Sequence, residues 1–450
     1  MSTSPEKPVT DGPKSAHVPR HSPKRVVIVG GGFGGLAVAR NLRHEAVDVT
    51  LIDRRNYHLF QPLLYQVATA ALSPADIAEP IRRVLRSQKN AQVLLGAVNA
   101  VSLQDQLVHW DGGIVHYDYL VLAAGATHAY FGHDEWSTRA PGLKTADDAL
   151  EIRRRVLLAF ESAEMEDDLE ARRAQLTFVV VGGGPTGVEL AGALREIAVE
   201  SIQRDFRRVD TATARIVLVE GQPRLLSSMR DASSRRARED LERMGVEVRL
   251  NTLLTDIAED RVVLKRGDEQ EMLLARNVIW AAGVRASSLG KTLGVPLDRE
   301  GRVFVRSDCS LPDHQNAFVI GDMASFLEGR AGARVPGVAQ GALQMGEFVA
   351  RTIRRELTQP SAPREAFRYR DKGSMATIGR AKAVADIGDR SYGGLIAWIL
   401  WSMIHVAFLV SFRNRLFVMF GWAWSYLAQV KGARLITGDR QPDVKRTAEF

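Results

Sequence analysis

Val26-Val27-Ile28-Val29-Gly30-Gly31-Gly32-Phe33-Gly34-Gly35 and Phe178-Val179-Val180-Val181-Gly182-Gly183-Gly184-Pro185-Thr186-Gly187 are one pattern written twice, about a domain's length apart. Each opens on an apolar, mostly β-branched run, the signature of a strand buried on both faces of a parallel sheet. Each continues with G-x-G-x-x-G and a helical stretch. The first glycine permits the tight turn, the second lets the backbone approach a pyrophosphate, and the third lets helix and strand pack closely. The helix end then offers unpaired N–H groups and a positive dipole to the phosphates. An acid closing the following strand completes each unit by binding ribose hydroxyls. In the first unit it is Asp53, after Val49-Thr50-Leu51-Ile52. In the second it is Glu220, after Ile216-Val217-Leu218-Val219. A carboxylate at Glu220 repels a 2′-phosphate, so NADH is expected over NADPH. Arg224 nearby is the one group that argues the other way.

Three further strands end in small residues and return the chain to these sites. Tyr119-Leu120-Val121-Leu122 runs into Ala123-Ala124-Gly125, Asn277-Val278-Ile279-Trp280 into Ala281-Ala282-Gly283, and Ala317-Phe318-Val319-Ile320 into Gly321-Asp322. Small residues let the backbone pass close to a cofactor, and Asp322 can accept from a ribityl hydroxyl. The expected fold class is α/β. Two Rossmann-like dinucleotide-binding domains precede a C-terminal membrane-attachment region with apolar helices. The expected divisions are a disordered, proline-rich arm at 1–24, a first dinucleotide-binding domain at 25–140 and 285–360, a second at 141–284, and the membrane-anchoring region with a basic tail at 365–450.

The chain has 450 residues, 45% of them hydrophobic and 25% charged, the balance of a packed globular protein. Its single cysteine, Cys309, excludes an intramolecular disulfide, a thiolate zinc site and a CxxC pair. Redox chemistry must therefore come from a bound cofactor, and no metal is expected. The net charge is +7. The excess sits in residues 1–25 and 391–450 rather than in a stripe across a domain, which argues against nucleic acid and for an anionic membrane surface. The arm lacks the apolar stretch of a secretory signal, so the body is expected in the cytoplasm. Residues 395–412 and 416–430 carry no charge and hold four of the seven tryptophans: Trp398, Trp401, Trp422 and Trp424. Hydropathy alone makes the first segment a candidate spanning helix. Ser402, His405 and the tryptophans favour instead two helices lying in the interface, with tryptophan anchors.

Over about residues 25–430 the sequence resembles the type II NADH:quinone oxidoreductases. The resemblance is carried by Asp53-Arg54-Arg55-Asn56-Tyr57-His58-Leu59-Phe60-Gln61-Pro62-Leu63-Leu64-Tyr65-Gln66-Val67-Ala68 and by Val338-Ala339-Gln340-Gly341-Ala342-Leu343-Gln344-Met345-Gly346. It implies FAD in the first domain, with Gly30, Gly32, Phe33, Gly34, Gly35, Asp53, Arg54, Ala124, Gly125, Gly321, Asp322 and Ala339 around it. It implies NADH in the second, with Gly182, Gly184, Pro185, Thr186, Gly187, Glu220, Ala282 and Gly283. Gln340 and Gln344 would face a quinone, and Glu189 would lie near the nicotinamide–flavin contact. A hydride would pass from NADH to FAD, then two electrons to a membrane quinone, without proton pumping. The protein would be a respiratory enzyme held on the cytoplasmic face of the cell membrane, with a homodimer left open.

The residues themselves are less specific. Gln340 and Gln344 share one helix face, and neutral amides suit quinone carbonyls, but a polar stripe would look the same. Glu189 follows the second fingerprint in what reads as the first helical turn, where a capping role competes. Tyr57, His58 and Tyr65 read equally well as core. Disulfide reductases and sulfide:quinone oxidoreductases each need at least two working cysteines, one more than the chain has. A ferredoxin- or rubredoxin-reductase-like flavoenzyme and a membrane-docked FAD/NAD scaffold without turnover stay as alternatives.

Overall fold

The computed structural model describes residues 22–328, 333–410, 412–428 and 432–437. Nearly all of the proline-rich arm lies outside the described residues.

The first glycine-rich turn follows β1 (Lys24–Val29), in which Val26, Val27 and Ile28 have no exposed surface. Such burial on both faces is what a continuous apolar run requires. β1 pairs in parallel with β2 (Val47–Asp53) on one side and β4 (Tyr119–Leu122) on the other. β3 (Ala91–Leu95) extends the sheet beyond β2, and β11 (Ala317–Val319) extends it beyond β4. The order β11-β4-β1-β2-β3 puts the chain's change of direction beside β1, and ligands bind in the crevice at such a switch point. Helix α1 (Phe33–Asn41) begins at the turn. Helix α4 (Ala339–Thr358) crosses it so closely that a Cβ on Gly346 would lie 2.5 Å from the Gly34 carbonyl oxygen.

The second sheet repeats the plan. β6 (Thr177–Val181) is flanked in parallel by β7 (Arg215–Glu220) and β9 (Asn277–Trp280), with β8 (Val246–Leu250) outside β7. Helix α3 (Pro185–Glu196) follows its glycine turn. The α/β class with two Rossmann-like sheets is therefore present. The chain passes between the sheets through an antiparallel pair, β5 (Ala126–His128) with β10 (Val284–Ala286). Tyr130, Trp136 and Ala140, read from sequence as part of the first unit, pack instead on the second sheet with Val179, Val217 and Trp280.

A meander of β12 (Ser374–Gly379), β13 (Lys382–Ile387) and β14 (Arg390–Gly393) leads into α5 (Gly394–Phe408) and α6 (Phe412–Ala428). The meander lies directly on α3, where a Cβ on Gly192 would meet the Ile378 carbonyl oxygen at 1.7 Å. α5 has 15 residues, about 22 Å at 1.5 Å per residue, short of a bilayer core of about 30 Å. Among the described residues no helix is long and apolar enough to cross a membrane.

The direction of Trp401 and Trp422 corrects the expectation of interfacial anchors for these two, while Trp398 is half-buried. Ala397, Trp401 and His405, spaced i, i+4, i+8, lie on the inward face of α5. Trp401 is buried and stacks on His405 at 4.2 Å, with Trp422 tilted against it at 5.6 Å. The His405 imidazole Nδ1 bonds to the Trp401 carbonyl oxygen, and burial lowers its pKa to about 4, so it is neutral. The Trp424 side chain lies outside the described residues. What faces outward is Ile396, Ile399, Met403 and Phe408 of α5 with Phe417 and Phe420 of α6.

Candidate active site

The first glycine turn opens on a cavity of about 780 Å³. Gly30 holds φ +101°, and a Cβ there would sit 2.4 Å from the Ala123 carbonyl oxygen. At Gly32 the same test finds nothing within 4 Å, which leaves a floor open to a pyrophosphate. Neither α1 nor α4 has a side-chain cap at its start, so two helix N-termini present free N–H groups in this region. Asp53 is held at the strand end by two backbone donors: the Gly31 N–H at 2.6 Å and the Arg55 N–H at 2.7 Å. Gly30, Gly32, Phe33, Gly34, Asp53, Arg54, Ala124, Gly125, Gly321, Asp322 and Ala339 all line the cavity. Gly35 does not; it lies beneath, where a Cβ would strike the Gly30 carbonyl oxygen at 1.9 Å. Its role is the helix–strand contact. The size and donor set fit a dinucleotide such as FAD. Lys144 and Thr145 also line the cavity, and Lys144 Nζ stands 3.7 Å from an Asp322 carboxylate oxygen. Neither had a local signal, because they come from a loop between the two sheets.

The second turn has the same construction. Gly182 takes φ +110°, and a Cβ on Gly187 would lie 1.8 Å from the Gly182 carbonyl oxygen. α3 starts with Pro185 and has no side-chain cap. Glu220 accepts from the Gly183 N–H at 2.5 Å and the Gln222 N–H at 2.7 Å. Arg224 is turned away: it pairs with Asp231 and donates to the Ser227 carbonyl at 2.7 Å. The group that argued for a 2′-phosphate is thus already engaged.

A smaller cavity, about 120 Å³, lies between α3, the meander and the two C-terminal helices. Glu189 is on its wall. It is the fifth residue of α3, beyond the first turn, and its Oε1 accepts from the Thr377 N–H at 3.4 Å instead of capping its own helix. Desolvation raises its pKa to about 8, although the residue keeps some surface on the cavity wall. Around it runs a chain of buried polar groups. Tyr65 and Gln66 come from helix α2 (Leu64–Ala68). The Tyr65 hydroxyl is 2.9 Å from Thr377 Oγ1, the Gln66 amide donates to the Tyr65 hydroxyl at 3.0 Å, and Trp422 Nε1 donates to Gln66 Oε1 at 2.7 Å. Burial pushes the Tyr65 phenol well up, so it stays protonated. Residues 59–66 therefore serve both cavities, since Leu59 and Gln61 line the larger one and Tyr65 and Gln66 the smaller.

Gln340 and Gln344 do not line the cavity that holds Glu189. They lie at the start of α4, and the Gln344 amide is clamped to the Arg370 backbone, donating to its carbonyl and accepting from its N–H, each at 3.0 Å. Cys309 is buried and its thiol pKa is raised, so it is no redox centre.

Residues 24–346 match the family described as pyridine nucleotide-disulphide oxidoreductase, and residues 372–429 match the NDH2 C-terminal domain. The chain is 45% identical over 423 residues to "Type II NADH:quinone oxidoreductase Ndh" of Mycobacterium tuberculosis, covering 92% of this chain and 90% of that protein. To NdhA of the same organism, also a type II NADH:quinone oxidoreductase by name, it is 44% identical over 441 residues, 95% and 92% of the two chains. Its fold is similar to that of NDH2 from Plasmodium falciparum, solved in complex with NADH, with a TM-score of 0.85 and 21% identity over 92% of this chain and 100% of the other. Two sheets with matching dinucleotide turns, one buried cysteine and a C-terminal unit of the NDH2 type agree with these likenesses: the chain belongs to the type II NADH:quinone oxidoreductase family.

Proposed function

We infer that the chain oxidises NADH at the second sheet and delivers two electrons to a membrane quinone, with FAD in the larger cavity. FAD when bound supplies the hydride acceptor and the two-electron donor; the chain supplies binding, orientation and exclusion of water. The turn at residues 182–187 and Glu220 hold the nucleotide. The observation that carries the quinone half is the smaller cavity, placed under helices whose outer face is apolar and walled by a carboxyl group that burial keeps protonated at neutral pH. Glu189 Oε can donate a hydrogen bond or a proton to a quinone oxygen there. The Tyr65–Thr377 pair holds the Thr377 backbone that faces it. Gln340 and Gln344 keep a place in the reading, because α4 reaches the larger cavity through Ala339 and Ala342. Gln344 gives one amide N–H and its carbonyl oxygen to the Arg370 backbone, and its second N–H is the one that could bind a carbonyl. The outward face of α5 and α6 supports attachment to one leaflet. Arg413 is exposed beside that face, whereas Arg434 is engaged with the Ser201 carbonyl and Asp205.

The purified protein is expected to release FAD on heat denaturation and to oxidise NADH only when a quinone is supplied. Oxidation at an equal rate with a ferredoxin in place of the quinone, or none at all, overturns the reading. On the nucleotide side, Glu220→Gln should raise KM for NADH roughly tenfold and NADPH far less, since hydrogen bonds to a charged group are the strong ones. Steady-state kinetics with both nucleotides checks this; equal use of NADH and NADPH by the unsubstituted protein would defeat it.

A further inference from the structure

Phe131 is 72% exposed and has φ +52°, and Gly132 after it has φ +100°. A left-handed backbone suits glycine or asparagine and is an outlier for a bulky side chain. A phenyl ring set there in the open forfeits apolar burial as well, so folding alone gives no reason for it. Residues held against their preference cluster where a ligand is met.

The second sheet holds this ring in place. Trp280 Nε1 donates to the Ala129 carbonyl at 3.0 Å, and the Ala129 N–H donates to the Gly283 carbonyl at 3.4 Å. The ring abuts Gly283, where a Cβ would lie 2.4 Å from Phe131 Cζ, and its centroid is 6.2 Å from that of Trp280. Gly283 follows β9 by way of Ala281 and Ala282, beside the glycine turn. That turn touches the same strand end, since a Cβ on Gly182 would come within 2.8 Å of Ala281 and Ala282. Strand order is β8-β7-β6-β9. Across the strand ends the sequence is therefore Glu220, the turn, Ala282–Gly283 and then Phe131. A dinucleotide with its adenosine ribose on Glu220 and its pyrophosphate on the turn extends toward β9. Its nicotinamide riboside half reaches the free face of Phe131.

We propose that Phe131 is a substrate-contacting residue, an aromatic wall for the nicotinamide riboside half of NADH that keeps water from it. The proposal rests on the NADH reading above. Phe131→Asn fits the left-handed backbone, so thermal stability should be unchanged or higher. KM for NADH should nevertheless rise about three- to tenfold, the range of a lost ring contact. Re-oxidation of the enzyme by quinone should not change. Phe131→Tyr, which keeps the ring, should stay near the unsubstituted value. ADP, which lacks the whole nicotinamide riboside, should inhibit both proteins equally. An unchanged KM in Phe131→Asn overturns the proposal. So does a parallel loss of ADP binding, which would place the ring at the other half. Failure of the unsubstituted protein to oxidise NADH would overturn the functional reading, and Phe131's part with it. Turnover by that protein beside an unaltered Phe131→Asn would overturn Phe131's part alone.

Discussion

Glu189→Gln will leave reduction of the enzyme by NADH nearly intact and slow its re-oxidation by quinone by roughly two orders of magnitude at pH 7, the contribution of a positioned acid. Glutamine fills the same space and can still accept from the Thr377 N–H, so the fold survives, but it cannot deliver a proton. Stopped-flow absorbance separates the two steps. The pH profile gives a second signature. With a pKa raised to about 8 by burial, the carboxyl of the unsubstituted protein is protonated at pH 7, and its quinone step should fall as pH rises through about 8. The variant should show no such fall. Stability carries the matching sign. Below the unfolded value of 4.5 the group is protonated whether folded or not, and contributes no pH dependence. Between 4.5 and about 8 the folded state holds a proton that the unfolded state has lost, so stability falls with rising pH by at most about 1.4 kcal/mol per unit. Contact with the cavity reduces this. Glu189→Gln should therefore be the more stable protein at pH 8 and equal to the original near pH 4. Slowing of the NADH half-reaction alone would remove Glu189 from the quinone.

Ile396→Glu with Phe420→Glu will move the protein from the membrane fraction to the soluble one and abolish turnover with a long-chain quinone, while a water-soluble quinone analogue still reacts. Both side chains are exposed, at 63% and 72%, so charge there should leave the core intact. On a lipid surface each buried apolar side chain is worth about 1.5–3 kcal/mol, and a charge in its place adds a further penalty. Deleting the whole segment would be a poorer test, because Trp401 belongs to the main hydrophobic cluster and Trp422 is bonded to Gln66. A labelling test of topology would place a cysteine at Arg413, which is exposed. If the double variant turns a soluble dimer into a monomer and membrane binding was never present, the face is an interface between copies and the lipid reading fails.

The two sheets and their turns were legible in the sequence because each unit is local: strand, glycines, helix and acid follow one another within a single βαβ span. The cavity around Glu189 was not. It exists because Gly192 lets β12 settle on α3, a contact between residues far apart in the chain, and only that contact turns a carboxylate from a supposed cap into a buried acid. The motif at residues 53–68 was recognisable as specific, yet Tyr65 and Gln66 read equally well as core, since nothing nearby announces Thr377 or Trp422. Trp401 and Trp422 were misread through the average preference of tryptophan for interfaces. The periodicity of α5 held the better signal, with Ala397, Trp401 and His405 on one face and Ile396, Ile399 and Met403 on the other. Phe131 offered no pattern at all, because its strain is a property of the backbone.

NADH and quinone use one bound FAD in turn. Anaerobic addition of NADH to the purified protein should bleach its flavin absorbance, and a quinone added next should restore it, over repeated cycles. Bleaching without recovery on quinone, or no bleaching by NADH, would rule out this cycle.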